Sequence, residues 1–141
     1  MRCGTCISGT NPAEIVYEDK NFIAFLDDRP LFPGHLLLIP REHYVTLLEL
    51  PEELGAGTMR LLQLLVKAVE SALDAEGTFI AINNRVSQSV PHLHIHIVPR
   101  RRRDGLRGFF WPRQKYQDNE AKEAVRDAIE REIRKLRRST M

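Results

Sequence analysis

The stretch Val90-Pro91-His92-Leu93-His94-Ile95-His96-Ile97-Val98-Pro99-Arg100 decides the fold. Its three histidines alternate with apolar residues, and a period of two is typical of a β-strand. The pattern predicts a strand that carries His92, His94 and His96 on one face at intervals of roughly 7 Å. A proline brackets the run at each end, as is usual at strand ends. One face can therefore join a core while the other brings three imidazoles to a common site.

The size and composition of the chain are those of one soluble domain. It has 141 residues, 43% of them hydrophobic and 28% charged, and this is enough to bury a core. No apolar stretch has the length of a membrane helix, and the first residues lack the apolar region of a signal peptide, so we expect a cytoplasmic protein without a membrane partner. The net charge of +2 is too small to favour nucleic-acid binding.

The order of the predicted elements indicates an α+β fold with a mostly antiparallel sheet. We expect a hairpin from strands 14–18 and 22–27, a central strand 35–40, and a helix that starts near Pro51 and stops at Gly77. A strand at 78–83 and the histidine strand follow, and a C-terminal helix starts at Asp118. Residues 1–141 are taken as a single domain with a cysteine loop (1–12), a core (13–100) and an aromatic-basic segment with the last helix (101–141).

The only two cysteines, Cys3 and Cys6, are separated by two residues. This spacing in a loop favours a structural zinc site over a disulfide or a redox pair. A tetrahedral structural site needs four ligands, so two of the five histidines must complete it. His43, just past the third strand, and His92 are the candidates at strand ends.

The remaining histidines predict nucleophilic chemistry at phosphorus. A neutral imidazole in a partly dry site is a competent nucleophile, and a second imidazole can donate to a phosphate oxygen. The side chains of Asn83, Gln88 and Ser89 lie close in sequence and could cradle phosphate oxygens. A metallohydrolase with zinc on the three histidines is the rival chemistry, although a C-x-x-C pair is more typical of a closed structural site.

These motifs resemble the signature of the histidine triad family. The resemblance rests on His92 to Arg100, on the Gln88-Ser89-Val90 stretch before it, and on Phe25-Leu26-Asp27 with Pro33 to His43 upstream. It implies a five-stranded antiparallel sheet with flanking helices, in a homodimer whose sheet continues across the interface. It also implies a nucleotide hydrolase or transferase that acts through a nucleotidyl-histidine intermediate.

The resemblance implies roles for individual residues. His94, the middle histidine, is the nucleophile on the α-phosphate, and His96 contacts phosphate and shares the catalytic work. The substrate-binding residues implied are Asp27 for the ribose hydroxyls, with His35, Asn83, Gln88, Ser89 and His96. In the zinc-bearing branch of the family, the ligands correspond to Cys3, Cys6, His43 and His92.

We therefore expect an enzyme with a structural zinc ion that cleaves a phosphoramidate or dinucleoside polyphosphate of a purine nucleoside and releases a nucleoside monophosphate. A nucleotidyltransferase and a nucleotide-binding module with little turnover are the alternatives. One departure from the family pattern is the glycine-free loop Asn84-Arg85-Val86-Ser87, where many relatives carry glycines. Trp111 and the last helix inherit no role, and Trp111 is expected to pack in the core or at a dimer interface.

Overall fold

The computed structural model describes residues 14–107 and 113–140. Cys3, Cys6 and Trp111, to which the sequence assigns predictions, lie outside the described residues. Within these ranges lie five strands and two α-helices, in chain order β1 Ile15–Glu18, β2 Phe22–Leu26, β3 Leu36–Pro40, α1 Gly55–Leu73, β4 Gly77–Ile82, β5 Ile95–Arg100 and α2 Asn119–Thr140.

The five strands form one antiparallel sheet in the order β1-β2-β3-β5-β4. The predicted hairpin pairs β1 with β2, and Asp19 closes its turn by accepting the amide protons of Asn21 and Phe22, each at 2.8 Å. In the middle of the sheet, Leu37 is opposite both Phe25 and His96. The α+β fold and the antiparallel pairing of the histidine strand with β4 are confirmed.

Helix α1 covers one face of the sheet and forms the core with it. Its buried side chains Leu61, Leu65 and Val69 belong to the same cluster as Leu38 and Ile97 of the sheet. Because side chains alternate along a strand, the residues next to these in sequence face away from the helix. The face opposite α1 is therefore the one that carries His96.

The bounds of α1 differ from the prediction at both ends. A short 3-10 turn, Glu52–Leu54, precedes the helix, which begins at Gly55 rather than Pro51. It ends at Leu73, because Asp74 takes a left-handed conformation with φ of 51°. The guanidinium of Arg101 also donates to the carbonyls of Leu73 and Asp74, which satisfies the helix end. Gly77 opens β4 and is not the helix stop.

The histidine run is only partly a strand. Strand β5 begins at Ile95, so His96 lies within it while His92 and His94 precede it. The segment before β5 bonds elsewhere, since the Leu93 amide donates to the Tyr44 carbonyl at 2.6 Å. The prediction that one strand carries all three histidines was therefore wrong in extent, although all three line the same cavity.

The chain divides into two compact units between Asp104 and Gly105. In the second unit the expected C-terminal helix is present as α2, and the carboxylate of Asp118 accepts the amide proton of Ala121 at 2.7 Å at its start. Neither helix in the described ranges is long and apolar enough to cross a membrane. The assignment of residues 1–141 to a single domain stays a prediction.

Candidate active site

A cavity of about 390 Å³ opens on the sheet face opposite α1. Its floor is apolar, and histidines and carboxylates lie around it. Twelve described residues line it: Glu14, Phe25, Leu26, Asp27, Asp28, Leu37, Ile39, Ser89, Val90, His92, His94 and His96. A ligand with a flat apolar part and a polar part that accepts hydrogen bonds suits such a lining.

His92 lies at the buried end of the site, and its ring orientation is fixed. The side chain is 2% exposed, and its Nε2 lies 2.8 Å from the carbonyl oxygen of Pro40. A carbonyl can only accept, so Nε2 carries the proton and donates it, and Nδ1 carries the lone pair. That Nδ1 lies 3.3 Å from Nδ1 of His43.

The two facing Nδ1 atoms fit half of a tetrahedral zinc site. Zinc–nitrogen bonds of 2.0–2.1 Å at a tetrahedral angle separate two nitrogen ligands by roughly 3.3 Å, which matches the observed separation of His43 and His92. The bond from His92 to the Pro40 carbonyl is the kind of outer interaction that orients metal-binding histidines. The histidine donors therefore fit zinc, and both cysteines proposed to complete the site lie outside the described residues.

The ring of His94 has the opposite tautomer. Its Nδ1 lies 2.8 Å from the carbonyl oxygen of His92, so Nδ1 carries the proton and Nε2 keeps an available lone pair. A lone pair of this kind is what a nucleophile or a general base requires. The ring centroids of His94 and His96 are 5.1 Å apart, so a group attacked by one lies within reach of the other.

His96 pairs with a fourth histidine rather than with His92. Its Nδ1 lies 3.0 Å from Nε2 of His35, a side chain that is 3% exposed at the end of the loop before β3. Nδ1 of His35 in turn accepts the Leu31 amide proton at 3.1 Å. The carboxylate of Asp27 lies 3.6 Å from Nε2 of His35.

Burial disfavours the charged form of three histidines of the site. It lowers the pKa of His35, His92 and His96 below the ordinary value of 6.5, because a buried imidazolium loses its hydration. Asp27 opposes this effect at His35 and His96 by electrostatic attraction, but burial is the larger cause. The neighbouring imidazole rings lower the pKa of His96 further.

The predicted substrate residues are not all placed alike. Asp27, Ser89 and His96 line the cavity, whereas its described lining does not include Asn83 or Gln88. The side-chain amide of Gln88 donates to the Val45 carbonyl and accepts the Arg85 amide proton at 2.8 Å. Gln88 thus fixes the loop between β4 and β5 to the chain after β3.

Two features of the site escaped the sequence analysis. The apolar floor of Phe25, Leu37 and Ile39 follows from strand alternation, and that signal could have revealed it. Asn84 accepts the Leu47 amide proton at 3.1 Å and ties the loop before the histidines in place. No sequence signal indicates this long-range bond.

Comparison with known proteins identifies the family. The model of the HIT domain matches residues 8–103 of this chain. An uncharacterized HIT-like protein of Mycobacterium tuberculosis is 38% identical over 110 residues, which are 75% of this chain and 76% of that protein.

Some relatives have named activities. The adenosine 5'-monophosphoramidase hnt1 of Schizosaccharomyces pombe is 35% identical over 79% of this chain and 84% of its own length. The adenylylsulfatase HINT3 of Arabidopsis thaliana is 37% identical over 71% of this chain and 52% of its own length.

Solved structures share the fold. A Streptococcus mutans protein superimposes with a TM-score of 0.79 at 32% identity, over 92% of this chain and 82% of that chain. A zinc-bound histidine triad family protein from Mycobacterium smegmatis has a TM-score of 0.65 at 38% identity, over 90% and 91% of the two chains.

Proposed function

The chain belongs to the HIT family, and from that premise we propose that it is a nucleotide hydrolase whose nucleophile is His94. We propose as substrates the phosphoramidates and dinucleoside polyphosphates of purine nucleosides, cleaved at the α-phosphate to release a nucleoside monophosphate. The observation that carries the proposal is the bond from Nδ1 of His94 to the His92 carbonyl at 2.8 Å, which leaves the Nε2 lone pair available within a ligand-sized cavity.

The reaction proceeds in two displacements at phosphorus. In the first, the Nε2 lone pair of His94 forms a bond to the α-phosphorus, and the P–N or P–O bond to the leaving group breaks with its electron pair. The leaving group takes a proton from solvent. In the second, a water molecule attacks the phosphorus, its proton passes to solvent, and the monophosphate departs with His94 restored. The His92 carbonyl stabilises the imidazolium formed between the two steps.

The cavity supports a nucleotide lying across the sheet. From His96 on β5 to Glu14, which directly precedes β1, the cavity crosses three strand intervals of roughly 4.8 Å, about 14 Å in total, which suits an extended nucleoside monophosphate. The apolar floor of Phe25 and Leu37 receives the base, and Asp27 accepts hydrogen bonds from the ribose hydroxyls. Ser89 and His96 lie at the phosphate end.

Zinc has a structural role in the proposal. His43 and His92 would hold it, together with Cys3 and Cys6, and the bound ion would tie the N-terminal residues to the segment before β5. Supporting observations are the 3.3 Å separation of the two Nδ1 atoms and the zinc-bound relative. We further propose a cytoplasmic homodimer, which light scattering of the zinc-loaded protein tests.

The metallohydrolase alternative has less support. Within the described ranges, one group of three possible metal ligands has its atoms within 4.8 Å of one another, namely Asp27, His35 and His96. Neither His92 nor His94 belongs to it, so the three triad histidines do not converge on one point. The transferase alternative differs only in the second displacement, and added phosphate or sugar phosphate as acceptor distinguishes it from hydrolysis.

A covalent adduct tests the mechanism. The zinc-loaded protein is mixed with adenosine 5'-phosphoramidate, quenched in alkaline denaturant, and analysed by mass spectrometry for an adenylyl group on His94. His94→Ala should abolish the adduct and turnover but keep nucleotide binding. His43→Gln, which alters a histidine at the zinc end, should lose stability yet still form the adduct. Turnover that persists in His94→Ala would refute the nucleophile.

A further inference from the structure

The backbone amide of Leu31 determines where the protons lie on two imidazoles of the site. An amide nitrogen can only donate, so Nδ1 of His35, at 3.1 Å from it, must carry a lone pair. The proton of a neutral His35 is therefore on Nε2. A protonated His35 would set two donors against each other, and the amide disfavours that form.

The same reasoning extends from His35 to His96. Nε2 of His35 donates across 3.0 Å to Nδ1 of His96, so Nδ1 of His96 must also carry a lone pair. Its proton is then on Nε2. The Asp27 carboxylate at 3.6 Å is too distant to take the His35 proton in a hydrogen bond, so the pairing with His96 is retained.

We propose that Leu31 and His35 are positioning residues that hold His96 as a fixed, neutral Nε2–H donor to the phosphate of the substrate. The inference rests on the proposed function for the identity of that acceptor. It assigns His96 and His94 opposite tautomers, one a donor and the other a nucleophile, although they are two residues apart. Burial of the side chains, which lowers the pKa of His35 and His96, acts in the same direction.

The assignment excludes a proton relay through these two rings. If His96 gave its Nε2 proton to a leaving group, it would have to take the Nε2 proton of His35 at Nδ1. His35 would then be an imidazolate, because the Leu31 amide donates a hydrogen bond to its Nδ1 but cannot give up its proton. His96 therefore contributes a hydrogen bond in the transition state and transfers no proton through His35.

The position of the proton on His35 also decides whether Asp27, His35 and His96 can bind a metal ion together. A metal on Nε2 of His35 needs a lone pair there, while the Leu31 amide already requires one on Nδ1. A neutral imidazole has a single lone pair on nitrogen. The cluster is therefore a hydrogen-bonded network and is not suited to a metal ion.

Nuclear magnetic resonance tests the tautomers directly. Long-range ¹H–¹⁵N spectra of the zinc-loaded, ¹⁵N-labelled protein at pH 7.5 should show Nε2–H forms for His35 and His96 and the Nδ1–H form for His94. An Nδ1–H form at His96 would overturn the inference and would leave the adduct test of His94 untouched. Loss of the His94 adduct with the expected tautomers would refute the proposed function alone.

Variants test the positioning role. His35→Leu removes the donor to His96, and kcat should fall about tenfold or more with KM changed less. His35→Gln places an amide N–H near the former Nε2 and should recover most of that loss. An equal loss in both variants would overturn the inference.

A second pair of variants tests the backbone amide of Leu31 independently of its side chain, which is 53% exposed. Leu31→Ala keeps the N–H and should retain the tautomers of His35 and His96. Leu31→Pro removes the N–H and should produce a mixture of His35 and His96 tautomers. Unchanged tautomers in a folded Leu31→Pro protein would contradict the assignment, and if that variant does not fold, the spectra of the unmodified protein still decide the matter.

Discussion

Replacing Gly34 with alanine should distort the loop that presents the Leu31 amide to His35. Gly34 has φ of +97°, and a methyl group built on it would overlap Cδ1 of Leu73 at the end of α1. The positive φ costs an alanine about 1–2 kcal/mol. Moving the Leu73 side chain off its rotamer costs about 1 kcal/mol more.

These costs are partly offset, because alanine reduces the entropy of the unfolded chain by about 0.5–1 kcal/mol. The net expectation for Gly34→Ala is a loss of about 2 kcal/mol in the free energy of unfolding, or roughly 6–10 °C in Tm. Urea denaturation followed by circular dichroism measures it. Gly57→Ala is the matched control, because Gly57 lies inside α1 with nothing within 4 Å of its added methyl, and it should gain up to about 1 kcal/mol.

A double-mutant cycle separates the two costs. Leu73→Ala removes the overlapping atom, so in that background Gly34→Ala should cost about 1 kcal/mol less, and the remainder is the strain of the positive φ. Two results would refute the reasoning: a Gly34→Ala protein as stable as the unmodified chain, or a cycle with no coupling between Gly34 and Leu73.

Three further outcomes are expected. The folded-state pKa values of His35 and His96 lie below 6.5, so the unfolded chain binds more protons and the free energy of unfolding should fall as pH drops below 6.5. Urea titrations at pH 7.5, 6.5 and 5.5 measure this fall, which should be smaller in His35→Leu. The same pH dependence in His35→Leu and the unmodified protein would contradict the expectation. Removal of zinc by a chelator should lower Tm in the unmodified protein but much less in His43→Gln. Elemental analysis should find one zinc per chain. A native protein that contains no metal and has the same Tm with and without chelator would exclude the zinc site. Thr46 is fully buried, and its hydroxyl accepts the Leu48 amide proton at 3.2 Å. In thermal denaturation, Thr46→Ala should therefore lose about 1 kcal/mol in the free energy of unfolding, and Thr46→Ser should lose less. An equal loss in both variants would indicate that packing of the methyl group matters more than the cap.

The sequence predicted the sheet because its signals are local. Alternation in the histidine run and the apolar run ending at Pro40 place both segments in strands, and the turn at Asp19 indicates the antiparallel pairing of β1 with β2. The same alternation put His96 on the face away from the core. The predicted start of β5 was wrong because the Leu93 amide donates to the Tyr44 carbonyl, a contact between segments that are distant in sequence.

Other features depend on long-range contacts that a sequence pattern does not encode. The stop of α1 at Asp74 depends on its left-handed conformation and on Arg101, 27 residues later. The side chain of Gln88 was interpreted as a phosphate ligand from its position beside Ser89, but its observed partners are backbone groups of Val45 and Arg85. Its assignment to substrate binding stays a prediction.

The hydrogen bonds of the site give the histidines of the triad different arrangements of proton and lone pair. Each ring has one nitrogen fixed by a protein group: Pro40 O for His92, His92 O for His94, and His35 for His96. Two of those partners accept a proton and one donates, so the other ring nitrogen of His96 differs in character from those of His92 and His94. His92 presents a lone pair to His43, His94 presents one to the cavity, and His96 presents an N–H. In the proposed function, these bonds to the backbone and to His35 suit three identical side chains to three roles, a zinc ligand, a nucleophile and a donor.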